Sequence, residues 1–190
     1  MENRNFWNDV AKYGAVLGGV LALSMLFESY LSLSGRAGLM MLMVVEWLLV
    51  VVVHYLLLHR YTRRYRESFP VEEGFPFGRA YGYIMLLSLF AGAIVGVVQV
   101  VYLHMIVGYE AYTAQLMASM QSYLSTMGAN ASMEPMLAEA FSQMQTAATP
   151  SVLQTAWGGI FNSLFFGAVF GLIIAGVLSR QPQLFDKEEE

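Results

Sequence analysis

The chain has 190 residues, 57% hydrophobic and only 13% charged, against roughly 25% charged in an average soluble domain. That deficit excludes an ordinary soluble protein and a disordered one. The net charge of -4 gives no footprint for nucleic acid, and the absence of Cys excludes disulfide frameworks, thiolate metal sites and Cys nucleophiles.

The charges gather in short segments and leave four long apolar stretches, at 13–33, 38–58, 80–107 and 156–178. Each satisfies the length needed to cross a bilayer, about 20 apolar residues for a hydrocarbon core of about 30 Å. They are apolar all the way round, with no polar face of the kind a soluble bundle needs. The expected fold is therefore all-α, a polytopic membrane domain of four transmembrane helices spanning 1–180. Ser32 and Ser34 ahead of Gly35 mimic a cleavage site, but the first apolar stretch is too long for a signal core and its flank mixes Glu2 and Asp9 with basic residues. An uncleaved anchor is expected.

All but one of the ten Lys and Arg fall on one side of such a four-span chain. Arg4 and Lys12 precede span one, Arg60, Arg63, Arg64, Arg66 and Arg79 separate spans two and three, and Arg180 and Lys187 follow span four; Arg36 alone lies opposite. The positive-inside rule then places both termini in the cytoplasm. Arg60, Arg63, Arg64 and Arg66, beside Tyr61 and Tyr65, are expected to anchor in the headgroups of the lipid bilayer. Pro70, Gly74 and Pro76 force a turn before span three.

Between spans three and four the composition shifts to Ala, Ser, Thr, Gln and Met, which predicts an outer amphipathic helical hairpin over about 109–148. Tyr112, Leu116, Met120, Tyr123 and Met127 recur at helical steps, as do Met133, Leu137, Phe141 and Met144. Gly128 and Asn130 supply the break, and Ser132 with Glu134 can cap the second arm. Thr149 and Pro150 are expected to cap and begin span four. The acidic tail, 181–190, is expected to be disordered.

The lead into Lys12-Tyr13-Gly14, the basic stretch after span two, the Gly74-Phe75-Pro76-Phe77-Gly78-Arg79-Ala80-Tyr81 approach to span three, the long outer segment and the fourth span ending in Ser179-Arg180 carry a family likeness. The chain resembles the small four-helix membrane proteins of Bacteroidota catalogued as domain of unknown function four-one-nine-nine. The resemblance covers nearly the whole chain and implies a multi-pass protein of the bacterial inner membrane. It brings no catalytic or binding residue with it, and the Met-rich hairpin departs from it.

Small residues recur at every fourth position: Gly14, Gly18 and Ala22 in span one, Ser88, Gly92 and Gly96 in span three, and Gly159, Ser163, Gly167, Gly171 and Ala175 in span four. Lipid gives no hydrophobic drive for helix pairing, so such stripes let backbones touch, within the chain or in a homo-oligomer. Span two lacks a stripe and is expected at the periphery or packed as a knob into a neighbour's groove. Ala11-Lys12-Tyr13-Gly14 and Arg79-Ala80-Tyr81-Gly82 are a faint trace of a two-helix repeat.

Glu28, Glu46, Gln99 and Asn162 lie about 8–12 Å inside the outer boundary at 1.5 Å per residue, one on each span. An intramembrane carboxyl costs several kcal/mol unless protonated, paired or hydrated. The layer is interhelical glue, a proton or cation site, or a set of side chains that reach solvent near the outer face. Six of the 13 Met lie in the hairpin, including Met117, Met120, Met133 and Met136; they fit adaptable packing better than copper ligation, and no metal or other cofactor is expected. Phosphate loops, zinc-protease motifs and nucleophile elbows are absent from the sequence. The sequence thus favours a non-catalytic scaffold or accessory subunit that meets a membrane partner or a second copy through its hairpin and small-residue faces. The alternative is a small transporter or channel subunit using the polar layer.

Overall fold

The computed structural model describes residues 6–34, 36–127, 138–139, 142–143, 146 and 148–181. Four helices are long and apolar enough to cross a membrane: α1 (Phe6–Leu33), α2 (Ala37–Arg66), α3 (Phe77–Val100) and α5 (Val152–Leu178). α3 runs on into a π-helical turn, Val101–Ile106, closed by a Val107 N–H to Tyr102 carbonyl bond of 3.0 Å. Between it and α5 lies α4 (Tyr109–Met127). The chain is a multi-pass integral membrane protein.

The helices outrun the apolar stretches that announce them. α2 continues through the arginines to Arg66, because a helix emerging from lipid keeps its backbone bonds whatever its side chains. α5 starts two residues later than expected. Ser151, in place of Thr149, is the N-cap, and it forms a reciprocal capping box with Gln154: the Gln154 N–H donates to the Ser151 hydroxyl at 3.2 Å and the Ser151 N–H to the Gln154 Oε1 at 2.8 Å. A Ser with Gln three residues on satisfies two orphan donors, which Thr149-Pro150 does not. Of the expected outer hairpin, α4 coincides with the first arm. The break at Gly128 and Asn130, the Ser132 cap and Met133, Leu137, Phe141 and Met144 fall outside the described residues, as does the tail beyond residue 181.

α3 is central, packed most extensively on α5 and then on α1. α2 buries the smallest share of its apolar stretch, 11% against 39% for α3. The core is uneven along the membrane normal. Val10, Tyr13, Leu17, Leu58, Tyr61, Tyr83, Ile84, Leu87, Ile174 and Leu178 form one cluster near the arginine-bearing end, hereafter the basic end. Tyr65 stacks on Tyr83 at 4.2 Å and Tyr13 on Tyr61 at 4.5 Å between centroids. Tyr61, expected among the headgroups, is buried in this plug. Past Leu178 the chain pairs back: the Arg180 and Phe75 backbones exchange two 2.9 Å hydrogen bonds.

The small-residue stripes lie on helix contacts within the chain. A Cβ on Gly14 would meet Phe90 at 2.7 Å, and one on Gly18 would meet the Ala91 backbone at 2.9 Å. On the α3–α5 seam an added Cβ would meet Ile160 at 2.8 Å from Gly92, the Ala156 carbonyl at 2.5 Å from Gly96, the Ser88 side chain from Gly167 and Tyr81 at 3.1 Å from Gly171. Buried Ser163 donates to the Ser88 carbonyl at 2.9 Å across this seam. The two suspected repeat tetrads are not equivalent in packing, since Gly14 is closely covered whereas Gly82 meets nothing within 4 Å.

Candidate functional site: a polar cavity between the helices

Where the plug ends the bundle is hollow. A cavity of about 330 Å³ is lined by Glu28, Glu46, Gln99 and Asn162, the four polar residues that the sequence places at one depth. Each comes from a different spanning helix. Glu28 and Glu46 are close enough for their charges to interact, and Ser24 donates to the Glu46 Oε1 at 2.5 Å. The other oxygen, Oε2, is buried without a hydrogen-bond partner. Leu21, Val50, Val51, Val95, Trp47 and Phe166 supply apolar walls. Trp47 is half exposed, and Gly158 and Asn162 are exposed too, so the mouth opens sideways between α2 and α5.

Two lining residues escape a reading based on depth alone. Ser24 lies one helical turn before Glu28, and His54 two turns after Glu46 with Val50 between, so the four-residue steps place each on the same face as its glutamate. His54 is 4% exposed and its Nε2 has no hydrogen-bond partner. The Phe170 ring stands edge-on to it at 5.5 Å.

A second cavity of about 350 Å³ lies beneath α4 and shares Met25, Glu28 and Gln99 with the first. Tyr112 of α4 lines it with Ser29 and Ser32. Burial pushes the Tyr112 phenol above its ordinary value, while the hydroxyls of Ser29 and Ser32 beside it pull the other way. His104, in the π-helical turn, bonds to Thr155 Oγ1 at 2.9 Å and lines neither cavity.

At the basic end the arginines are engaged unequally. Arg63 pairs with Glu67 at 3.4 Å on an exposed face, and Arg64 lies over the Tyr13 ring at 5.7 Å. Arg60 is exposed, and Arg66 lines a shallow surface pocket with His59 and Arg180.

Four apolar helices around an internal polar cavity define a polytopic helical membrane protein. The chain belongs to the family described as protein of unknown function (DUF4199), whose model matches residues 12–180. That match takes in all four spanning helices save the first turns of α1, and both cavities. No curated protein and no solved structure matches the chain.

Proposed function

We propose that this protein is a non-catalytic transporter or channel subunit that carries protons or a small solute past the Glu28, Glu46, Gln99 and Asn162 cavity. One observation carries the reading. Glu28 and Gln99 belong to two cavities at once, one beneath α4 and one open sideways at mid-depth, so they stand as a polar partition between two spaces that each have room for several waters. Interhelical glue needs its polar groups paired, whereas here a carboxylate oxygen is left without a partner. The aromatic plug closes the basic end, the arrangement of a pathway held shut on one side.

The scaffold reading loses a support. The small-residue faces it assigned to partners are occupied inside the chain, with Gly92, Gly96, Gly159 and Gly167 against their own neighbours. We place the protein in the bacterial cytoplasmic membrane with both termini inside, on the distribution of Lys and Arg.

Reconstitution tests the transport reading. Proteoliposomes should dissipate an imposed proton or alkali-cation gradient faster than empty vesicles, and Glu28→Gln or Glu46→Gln should abolish the difference while the protein still folds. Gradient decay equal to that of empty vesicles would return the protein to the scaffold class, and a partner co-purifying through α4 would then be sought.

A further inference from the structure

We propose that the cavity between α2 and α5 binds a small organic ammonium ion, its charge held at Glu46 and Glu28 and its apolar body against Trp47 and Phe166. The inference names the ligand for the site read above and rests on that reading.

Size argues first. A water claims about 30 Å³ of liquid, so a cavity of about 330 Å³ is far larger than a proton carrier or a bare alkali ion requires. Its walls are largely aliphatic and aromatic, a poor lining for a column of water and a good one for a hydrocarbon group. Among the described residues, no three His, Cys, Asp or Glu converge as metal ligands.

Charge argues second. Both carboxyls line the cavity, and no Lys or Arg does. Ser24 satisfies one oxygen of Glu46 and leaves Oε2 buried and unpaired. His54, 96% buried, adds a second unpaired atom, Nε2, which accepts a hydrogen bond when the ring is neutral. Oε2 of Glu46 is an acceptor in want of a donor, and an ammonium group brings up to three N–H donors with a positive charge, while His54 lies two turns deeper, at the other end of the cavity. Trp47 and Phe166 line the same cavity, and aromatic rings favour a cation or its apolar body.

Access argues third. The mouth at Trp47, Gly158 and Asn162 faces sideways between two spanning helices. An amphiphilic amine partitions into the bilayer and reaches such a door from the lipid, where an inorganic ion does not travel.

The test uses the full chain in lipid nanodiscs, with tritiated 2-phenylethylammonium and its neutral near-isostere 2-phenylethanol as probes and empty nanodiscs as the blank. The amine should bind saturably and the alcohol at least about tenfold more weakly, since the alcohol leaves the carboxyls unpaired. Glu46→Gln should cut amine affinity by at least about tenfold and leave the alcohol unchanged, while Glu72→Gln in the exposed loop should change neither. Equal affinity for amine and alcohol, no saturable amine binding, or full amine affinity in a folded Glu46→Gln variant would each overturn the proposal. Should Glu46→Gln fail to fold, the comparison of the two probes on the unaltered protein decides. Amine binding with neither gradient dissipation nor amine uptake into proteoliposomes would overturn the transport reading and leave the ammonium site standing. Dissipation that requires Glu28, with no amine binding, would do the reverse.

Discussion

Gly159 of α5 lies flush against Gly96 of α3: a Cβ added to Gly159 would sit 2.7 Å from both the Cα and the N of Gly96. No side chain can yield there, because the obstacle is backbone. Gly96→Ala and Gly159→Ala should therefore each destabilise the bundle by about 1–3 kcal/mol, the range for forcing atoms into a packed core. Gly158→Ala, one residue away with nothing within 4 Å, should be nearly silent. Thermal unfolding in mild detergent reads the difference, and equal losses at positions 158 and 159 would mean that the seam is wrongly placed.

Ser163→Ala removes the hydroxyl that donates to the Ser88 carbonyl. Such bonds between membrane helices average about 0.6 kcal/mol and rarely exceed about 1.7. The loss should be modest, well below that of Gly159→Ala. A larger loss from the serine would show that the seam depends on polar contact more than on close approach.

The Ser24 to Glu46 bond makes a paired prediction. Ser24→Ala strands both oxygens of a carboxyl that already has one unpaired, and an unsatisfied buried polar group costs about 1–3 kcal/mol. Glu46→Gln keeps an acceptor for Ser24 and should melt close to the wild type. Adding Ser24→Ala to Glu46→Leu should cost little more than Glu46→Leu alone, and a fully additive cycle would separate the two side chains.

Alkali should loosen α4. Burial raises the Tyr112 phenol above 10.0 in the folded protein, so the unfolded chain loses this proton first. The stability it contributes is complete below the unfolded value and is lost as pH rises through the folded one. Between about pH 9 and pH 11, wild type should lose more melting temperature than Tyr112→Phe. Parallel curves for the two proteins would show that Tyr112 is solvated.

Sidedness has a direct readout because the chain has no cysteine of its own. Single cysteines at Glu110, at the start of α4, and at Glu73, in the exposed turn before α3, lie at opposite ends of the bundle. In intact cells an impermeant thiol reagent should label position 110 alone, and position 73 only after lysis. The opposite pattern would invert the proposed orientation.

How much of this was legible in the sequence follows from what sets each feature. Hydrocarbon thickness fixes the spans, so composition alone locates them, and a shared depth brings Glu28, Glu46, Gln99 and Asn162 to one level. That they line a single cavity follows from helix rotation, which depth does not fix. Ser24 and His54 were hidden for a related reason: a Ser or His is unremarkable until the four-residue step from a glutamate is noticed. The start of α5 was misread because Pro150 is a strong local signal, while Ser151 and Gln154 act only as a pair. Tyr61 and Tyr65 have the composition of an interfacial belt, and the burial of Tyr61 in the plug and the packing of half-buried Tyr65 against it depend on rings from α1 and α3 that no local pattern reveals.

The backbone pairing of Phe75 with Arg180 fixes the start of α3 to the end of α5, and the glycine seam joins the same helices along their length. Together they make a stiff plank, with α1 fitted to it through Gly14 and Gly18. α2 supplies no residue to these close glycine contacts, and its fully buried anchors, Leu58 and Thr62, lie at the basic end. Toward Trp47 and Glu46 it is held to α1 by the Ser24 to Glu46 bond. The helix that bears one of the two carboxyls is thus also one jamb of the mouth, so that the bond which holds Glu46 to Ser24 also holds that side of the opening to α1.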